Sequence, residues 1–447
     1  MPALILVAIL LATLIIQAIR PQSRLLVVCL GAALTGLAST LLGVASTAAL
    51  FSGIPWGVLI MLVGLGLLAE MLAESKIFAR IAVALSQYSG NRPAVLLAAA
   101  AAVMFAVSSL VNNLTALVLV LPPLLVLLRL MEVDRRYVHW MIGILLVACN
   151  LGGAATPIGD FPAILLLGTG VIGFGDYLVN ALPAAGLGMF ALLGVTLLLV
   201  RPDRSLADDP LRRQLGVEVL TAMHRGLVIE WRILVPAVAM LLTMLAAWVT
   251  LPYFSGITAD LICWLGVLGA LLSRAHLGER LLRTRIDIEA ALFLLSLFVM
   301  VEAVGRTGLF DRIAGLLVAL PLPPEGQLVV FLVVSGILTG LFSAGPSMAA
   351  LLQVAPVLAA TLPPTAVYVG LALAVCAGSS LFLTAATSGP LTQAMVERAG
   401  LRDRDGTPIR FGFAEFLPIG LLSFGIILAI AIAASLMMIT IARQLPG

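Results

Sequence analysis

Apolar segments long enough to cross a membrane recur along the whole chain, and they constrain its fold more than any other feature. They run at about 2–19, 25–50, 54–73, 94–130, 137–168, 177–200, 231–251, 258–273, 287–303, 327–362, 365–395 and 411–442. A helix needs roughly 20 apolar residues to cross the hydrocarbon core of a bilayer. The chain is 62% hydrophobic and 11% charged, whereas soluble domains are about 25% charged. The sequence therefore predicts an all-α integral membrane protein.

Two of these segments, 94–130 and 327–362, are too long for a single span. Small and polar residues interrupt each one near its middle, at 108–113 and at 343–347. We therefore expect both segments to fold back on themselves. Each forms either a re-entrant hairpin or two full spans, and the sequence leaves these alternatives open because both return the chain to the same face.

The segment 137–168 is predicted to be a broken transmembrane helix. As one straight helix its 32 residues would extend about 48 Å, which is well beyond a hydrocarbon core of about 30 Å. Five residues that disfavour helix lie between positions 152 and 162 of this segment, and they are Gly152, Gly153, Pro157, Gly159 and Pro162. The segment 365–395 has a similar interruption between Gly378 and Pro390, so we expect a second broken helix there.

The distribution of basic residues predicts the orientation. With the amino terminus outside, only Arg306, Arg312 and Arg443 of the 25 Lys and Arg residues fall on the outer face. Such a bias is typical of the positive-inside rule. The polar stretch 201–230 is then a cytoplasmic linker between two halves. We expect a multi-pass protein of a bacterial inner membrane, or of an internal membrane derived from it.

The two halves of the chain repeat each other. At a spacing of 232 residues, three residues of the first half match three of the second, which are Glu70 with Glu302, Phe78 with Phe310 and Arg80 with Arg312. The helices that carry these residues run in opposite directions in the predicted topology. The chain therefore divides into amino-terminal helices (1–50), a first repeat (51–200), the linker, further transmembrane helices (231–286) and an inverted second repeat (287–442). Inverted repeats are typical of secondary transporters, whose sites lie between the repeats near the bilayer midplane.

Polar residues at the hairpin turns and the helix breaks are the candidate site. Unwound backbone and a carboxylate can replace the hydration shell of a cation, and Asp160 is the only carboxylate in either broken segment. The alternative is that Asp160 only caps the second part of its helix. The predicted substrate or ion site comprises Ser109, Asn112, Asn113, Thr115, Asn150, Gly153, Thr156, Asp160, Ser343, Ser347, Ser379, Thr384 and Thr387.

Two further carboxylates, Glu70 and Glu302, occupy matching positions near helix ends. They either reach the membrane surface or, together with Asp160, relay protons. The isolated histidines and cysteines do not have the spacing of a metal site, so we predict no resident metal and no cofactor beyond a transported or coupling ion such as H⁺ or Na⁺. Motifs of enzymes and of nucleic-acid binding are absent from the sequence, which makes a membrane-embedded enzyme or a scaffold the less favoured class.

The sequence resembles the ion transporter superfamily over nearly its whole length. The resemblance rests on Ser109-Leu-Val-Asn-Asn-Leu-Thr-Ala, on Asn150-Leu-Gly-Gly-Ala-Ala-Thr-Pro-Ile-Gly-Asp-Phe-Pro, and on Phe298-Val-Met-Val-Glu-Ala-Val-Gly-Arg-Thr-Gly-Leu-Phe. The superfamily includes sodium/proton antiporters, arsenite permeases, the melanosomal P protein, citrate transporters and dicarboxylate/sodium symporters. The runs Ile158-Gly-Asp-Phe-Pro and Ser343-Ala-Gly-Pro-Ser look most like the magnetosome protein MamN.

This resemblance implies two inverted repeats, each with a re-entrant hairpin and a broken helix, assembled as a homodimer in the bilayer. It also implies secondary active transport by alternating access. The chain has Asn112 where related antiporters carry an acidic residue, and it lacks the paired Ser-Asn-Thr motifs of dicarboxylate symporters. The leading hypothesis is proton-coupled cation antiport of the Na⁺/H⁺ type through Asp160. The alternative is a permease for arsenite, another oxyanion, or an organic anion such as citrate or a dicarboxylate.

Overall fold

The computed structural model describes residues 2–19, 23–78, 80, 81, 84, 92–131, 134–200, 228–255, 257–386, 388–403 and 405–444. Nearly all of them are helical, and the one β-bridge in this part of the chain joins Arg402 to Pro408. Among the described helices, eight are long and apolar enough to cross a membrane. The prediction of an all-α, multi-pass membrane protein is therefore confirmed.

The first half of the chain contains nine described helices. They are α1 (Pro2–Ile19), α2 (Arg24–Leu41), α3 (Thr47–Ser52), α4 (Trp56–Glu74), α5 (Pro93–Ser108), α6 (Asn113–Met131), α7 (Arg135–Ala155), α8 (Phe161–Gly168) and α9 (Phe174–Val200). The chain reverses between α5 and α6, and the helix of 137–168 is interrupted between α7 and α8.

The second half contains eleven described helices. They are α10 (Trp231–Ser255), α11 (Ala259–Leu272), α12 (Ala275–Thr284), α13 (Ile288–Gly305), α14 (Leu309–Val318), α15 (Pro324–Phe342), α16 (Ala344–Leu351), α17 (Ala355–Ala359), α18 (Pro364–Ser379), α19 (Ser388–Ala399) and α20 (Phe413–Gln444). Here the fold-back lies between α15 and α16, and the second helix break lies between α18 and α19.

Local chemistry accounts for several helix starts. Proline occupies the first turn of α5, α15 and α18, where its missing N–H would have no intrahelical partner and its fixed φ suits a helix. Asp287 precedes α13 and accepts a hydrogen bond from the backbone N–H of Ala290 at 2.9 Å. These signals set where the helices begin, whereas their apolar length sets how far they extend.

Helix packing follows the same order in both halves. In the first half α5 packs on α7 and α7 on α9, and in the second α15 packs on α18 and α18 on α20. Helices near the start of each half pack on the other half. In this exchange α2 of the first half packs on α13 of the second, and α11 of the second half packs on α4 of the first. This pairing agrees with an internal repeat, and the inversion of one repeat relative to the other stays a prediction.

The centre of the molecule is formed by α7 and α18. Every residue from Met141 to Ala155 in α7 and from Ala366 to Ser379 in α18 is buried. The two helices contact each other, and both end at a break. The polar side chains of Asn150 and Ser379, near the ends of these two helices, therefore lie inside protein rather than against lipid, which is where unwound backbone is tolerated at membrane depth.

Charged contacts join helix ends that the predicted topology assigns to one face. Arg280 of α12 pairs with Glu74 at the end of α4 at 3.0 Å, and Lys76 pairs with Glu230 at 3.0 Å just before α10. Residues 201–227 of the predicted linker lie outside the described residues. The cytoplasmic location of the linker therefore stays a prediction.

Candidate functional site

Asp160 lies at the break between α7 and α8 and caps the start of α8. Its backbone is extended, and its Oδ1 accepts a hydrogen bond from the backbone N–H of Phe161 at 2.8 Å. Pro162 follows and has no N–H to donate. Asp160 therefore does cap α8, as the alternative prediction states. This cap uses only one of the sites at which a carboxylate accepts hydrogen bonds, so the rest of the carboxylate can bind an ion or a proton.

The turn between α5 and α6 supplies the neighbours of Asp160. The side-chain amide of Asn113 lies beside the Asp160 side chain, since both side chains border Gly153. Ser108 stands behind this amide, with its Oγ 2.6 Å from Asn113 Oδ1 and 2.7 Å from the backbone oxygen of Cys149. Asn113 and Ser108 are both buried, so these contacts hold the amide in a defined position against the carboxylate.

Two glycines permit the close approach of the break to the turn. A Cβ on Gly153 would lie 2.5 Å from Asn113 Oδ1 and 2.7 Å from Asp160 Cβ. A Cβ on Gly159 would lie 2.3 Å from the backbone oxygen of Ser108. Gly153 was predicted as a site residue, and its role here is to leave the space in which Asn113 and Asp160 meet.

A hydrogen bond also joins the break directly to the turn. Thr156 Oγ1 donates to the backbone oxygen of Ser109 at 2.5 Å, and the N–H of Ile158 points back to Thr156 Oγ1 at 3.3 Å. The second half has a related contact, in which the backbone N–H of Ala344 donates to the backbone oxygen of Ala385 at 3.3 Å. In each half the fold-back is therefore bonded to the break of the following helix.

Asn150 of α7 connects the two halves. Its Nδ2 donates to the Ser380 hydroxyl at 3.1 Å and lies 3.3 Å from the backbone oxygen of Ser379. Its Oδ1 accepts from the Ser388 hydroxyl at 3.4 Å. Both ends of this buried amide have protein partners, so Asn150 positions the second-half break against α7.

A small cavity lies beside Asp160, between the halves. Its walls come from both of them, and they are Ala154, Asp160, Pro162, Ala163, Tyr177, Ala372, Val375, Cys376 and Ser379. The volume open to the centre of a water molecule is about 10 Å³, which is room for roughly one water. A proton or a small ion fits this conformation without rearrangement, whereas an anion the size of citrate requires the cavity to open.

The remaining predicted residues of the first turn have a different role. Asn112 Oδ1 accepts a hydrogen bond from the backbone N–H of Thr115 at 2.8 Å. This is the contact of a helix N-cap, and it satisfies a donor in the first turn of α6. Asn112 and Thr115 therefore lie next to the site but are bonded to each other rather than to Asp160.

The predicted residues of the second half are spread along its fold-back and its break. Ser343 has a φ of 81° where α15 ends, and Ser347 Oγ is buried without a hydrogen-bond partner among the described residues. Ser379 lines the cavity but donates to the backbone oxygen of Cys376 at 2.9 Å. The side chain of Thr384 is exposed. Thr387 lies outside the described residues.

The structure does not bring Glu70 and Glu302 to Asp160. Each is partly exposed near the end of its helix and pairs with an arginine, Glu70 with Arg285 at 3.7 Å and Glu302 with Arg306 at 2.8 Å. Their predicted contribution to proton coupling stays a prediction, and it would have to act at these helix ends rather than in the cavity.

Several residues of the site were missing from the predicted set. Ser108, Ser380 and Ser388 contact Asn113 or Asn150, and Tyr177 donates its hydroxyl to the backbone oxygen of Ala154 at 2.7 Å beside the cavity. The serines lie within the same turns and breaks as predicted residues, so polarity in an apolar segment was an available signal. Tyr177 of α9 has no such local signal. Within the described part of the chain, His, Cys, Asp and Glu side chains do not gather into any group of three that would hold a metal ion.

Known proteins with similar sequences include proteins named as transporters. The chain is 27% identical over 369 residues to "Uncharacterized transporter Rv2685" of Mycobacterium tuberculosis, and the match spans 80% of this chain and 81% of that protein. It is also 27% identical over 183 residues to the magnetosome protein MamN of Paramagnetospirillum magneticum, which spans 41% and 40% of the two chains. The predicted resemblance to this group is thereby confirmed.

The fold is also similar to that of a solved transporter. The YdaH transporter of Alcanivorax borkumensis superposes with a TM-score of 0.60 over 89% of this chain and 88% of its own, at 16% identity. A family model described as "Citrate transporter" matches residues 5–378. Because this match covers most of the chain and the fold is that of a polytopic transporter, the protein belongs to the citrate transporter family.

Proposed function

We propose that this membrane transporter is a secondary active, proton-coupled cation antiporter of the Na⁺/H⁺ type in which Asp160 binds the ion or the proton. The observation that carries the proposal is the position of Asp160. It stands at a helix break, it contacts the fold-back through Asn113, and it lines a cavity with walls from both halves. Among the described residues that line this cavity, it is the only one with a charged side chain.

Competition for one carboxylate gives the coupling. A cation bound to Asp160 is held by the carboxylate and by backbone oxygens freed at the break. A proton on Asp160 removes the negative charge and with it most of the attraction for the cation. Because one site holds either the proton or the cation, transport of one in each direction follows if the site opens alternately to the two faces.

The geometry also supports the alternating opening. The cavity is walled on one side by α8 and α9 of the first half and on the other by α18 of the second. A movement of one half against the other changes access to Asp160 without unfolding either half. Such rocking of repeats around a fixed site is the usual mode of secondary transporters.

Transport of an organic anion or an oxyanion is the second candidate, and the family description favours it. The Asn113 amide and the hydroxyls near the breaks are neutral groups that can bind carboxylate or arsenite oxygens. The charge of the cavity argues against an anionic substrate. Its described lining holds a carboxylate and no basic side chain, so an anion would be repelled unless a proton or a cation neutralises Asp160.

The remaining features of the proposal concern the membrane and the assembly. We expect the protein to function in a bacterial inner membrane, or in an internal membrane derived from it, as a homodimer. The amino terminus is proposed to be outside and the 201–230 linker cytoplasmic. The charge distribution supports this orientation, since basic residues collect on cytoplasmic faces.

Reconstituted vesicles test the function directly. The purified protein is placed in liposomes that contain a pH-sensitive dye, and Na⁺, Li⁺, K⁺, arsenite or citrate is added outside. Antiport predicts that an inward cation gradient alkalinises the lumen, with saturation in cation concentration, and that protein-free liposomes do not respond. Uptake of radiolabelled citrate or arsenite without any cation-dependent pH change would instead establish the anion permease.

A further inference from the structure

A second cavity lies at the membrane face opposite to the one where α9 ends and α10 begins. It is lined by the start of α4, the end of α8, the start of α9, Trp248 of α10 and residues 257–260 at the start of α11. Its volume is about 310 Å³, which falls within the range of about 300–1,000 Å³ found for small-molecule sites. It is distinct from the Asp160 cavity, and the proposed function makes no use of it.

The walls of this cavity are mainly apolar and partly aromatic. Met61, Leu167 and Ile172 contribute aliphatic surface, and Phe174 stacks on Trp248 with ring centroids 4.8 Å apart. The Trp248 indole N–H donates to the backbone oxygen of Ala259 at 2.8 Å. The aromatic wall is therefore fixed in place before any ligand arrives, which lowers the entropic cost of binding.

Asp260 is the only charged side chain among the described residues that line this cavity. It lies partly buried in the first turn of α11 and packs over Gly57, where a Cβ would come within 3.0 Å of its Cγ. Its carboxylate forms no salt bridge and no side-chain hydrogen bond within the described part of the chain. Because this carboxylate has no counter-charge in the described part of the chain, a cationic ligand would be attracted to it.

We propose that this cavity binds a small organic monocation with an apolar body. The ammonium group would lie against Asp260, and the hydrocarbon or aromatic body against Phe174, Trp248 and Met61. An organic anion has no basic partner among the described lining residues. A divalent metal ion would find only one carboxylate here and would gain nothing from the apolar walls, which suit the hydrocarbon body of an organic cation.

The site also touches the helix that carries Asp160. The cavity is lined by Leu167 and Gly168, which are the last two residues of α8. Asp160 caps the other end of this helix. An occupant therefore contacts one end of a single eight-residue helix whose other end holds the candidate ion site. Binding of the organic cation stands independently of whether Asp160 transports ions, because it requires only Asp260 and the apolar walls.

Ligand titration of the purified protein in detergent tests the proposal. The probe is benzyltrimethylammonium, which is cationic at every pH, and binding is followed by tryptophan fluorescence and by the thermal stability of the protein. We expect saturable binding that Asp260→Asn weakens at least tenfold. The control Asp176→Asn removes an exposed carboxylate from the first turn of the neighbouring helix α9 and should leave the affinity unchanged. Benzenesulfonate, an anion of similar size, should not bind.

A second variant keeps Asp260 but fills the rim of the cavity. Thr258 is exposed, lines the cavity and makes no capping hydrogen bond through its side chain, so Thr258→Phe should leave the melting temperature close to that of the parent and abolish probe binding. Equal probe affinity in the parent and in Asp260→Asn would overturn the proposal. So would equal binding of benzenesulfonate, or full binding to Thr258→Phe.

Discussion

The side-chain amide of Asn113 lies against the side chain of Asp160 beside Gly153, and so the turn of the first fold-back meets the break of the following helix. Ser108 supports the amide from the opposite side, with its Oγ 2.6 Å from Asn113 Oδ1. A change in the charge or ligand of Asp160 should therefore shift the side chain of Asn113 and alter the packing of the fold-back. This link gives a physical route by which ion binding alters the packing of the first half.

Asp160→Asn should abolish cation-driven pH changes in reconstituted vesicles. The substitution keeps the size of the side chain and its ability to cap α8, because Asn caps about as well as Asp, but it removes the group that binds proton and cation. Exchange or residual binding that no longer depends on pH is compatible with this role. If the variant retains pH-dependent transport at the parent rate, Asp160 is a cap alone and the coupling lies elsewhere.

Asn113→Ala and Asn112→Ala should differ although the residues are adjacent. Asn113→Ala removes the contact with Asp160 and leaves Ser108 without its amide partner, so we expect transport to fall at least tenfold. Asn112→Ala removes the cap on the Thr115 N–H, which costs about 1 kcal/mol of stability, and should leave the transport rate per folded protein within about twofold. Vesicle flux and thermal unfolding, measured on both variants, check this. Equal losses of transport would show that the turn acts as a unit.

Gly153→Ala should disrupt the site through a single methyl group. Its Cβ would lie 2.5 Å from Asn113 Oδ1 and 2.7 Å from Asp160 Cβ, so these side chains must separate. We expect severe loss of transport. Gly186→Ala in α9 is the matched control, since nothing lies within 4 Å of the added atom, and alanine favours helix by about 1 kcal/mol over glycine. A Gly153→Ala protein with parental flux would contradict the close packing of the site.

Asn150→Ala should lower the melting temperature, because the hydroxyls of Ser380 and Ser388 lose their partner inside the protein. Leaving a buried polar group unsatisfied costs about 1–3 kcal/mol. The Ser380→Ala variant and the double variant complete a double-mutant cycle. We expect the losses of stability in the two single variants to add up to more than the loss in the double variant, because both single substitutions remove the same hydrogen bond. Strict additivity would mean that the hydrogen bond between Asn150 and Ser380 contributes nothing to stability.

The orientation is tested by labelling. In a Cys29→Ser background, a cysteine at Ser205 in the linker should resist an impermeant thiol reagent in intact cells, whereas a cysteine at Leu322 should react. Leu322 is exposed in the loop before α15, on the face predicted to be outside. The reverse pattern would invert the topology but leave the fold unchanged.

The sequence by itself determined the membrane class, the position of the fold-back turns and the helix breaks. These depend on apolar length and on Gly, Pro and polar residues that act within a turn or two of the chain, so they can be read locally. The polar interruption at 108–113 lies where α5 ends and α6 begins, and the break at 156–160 follows Gly152 and Gly153 and contains Pro157 and Gly159.

Only the tertiary structure decided which polar residues meet. Asn112 and Asn113 are equivalent by composition, yet one caps a helix and the other contacts Asp160. Asn150 reaches Ser380 of the other half, and Tyr177 of α9 comes to the cavity beside Asp160. Such contacts depend on how α5, α7, α9 and α18 pack against one another. That geometry is set by the shapes of many side chains together, so no local pattern encodes it.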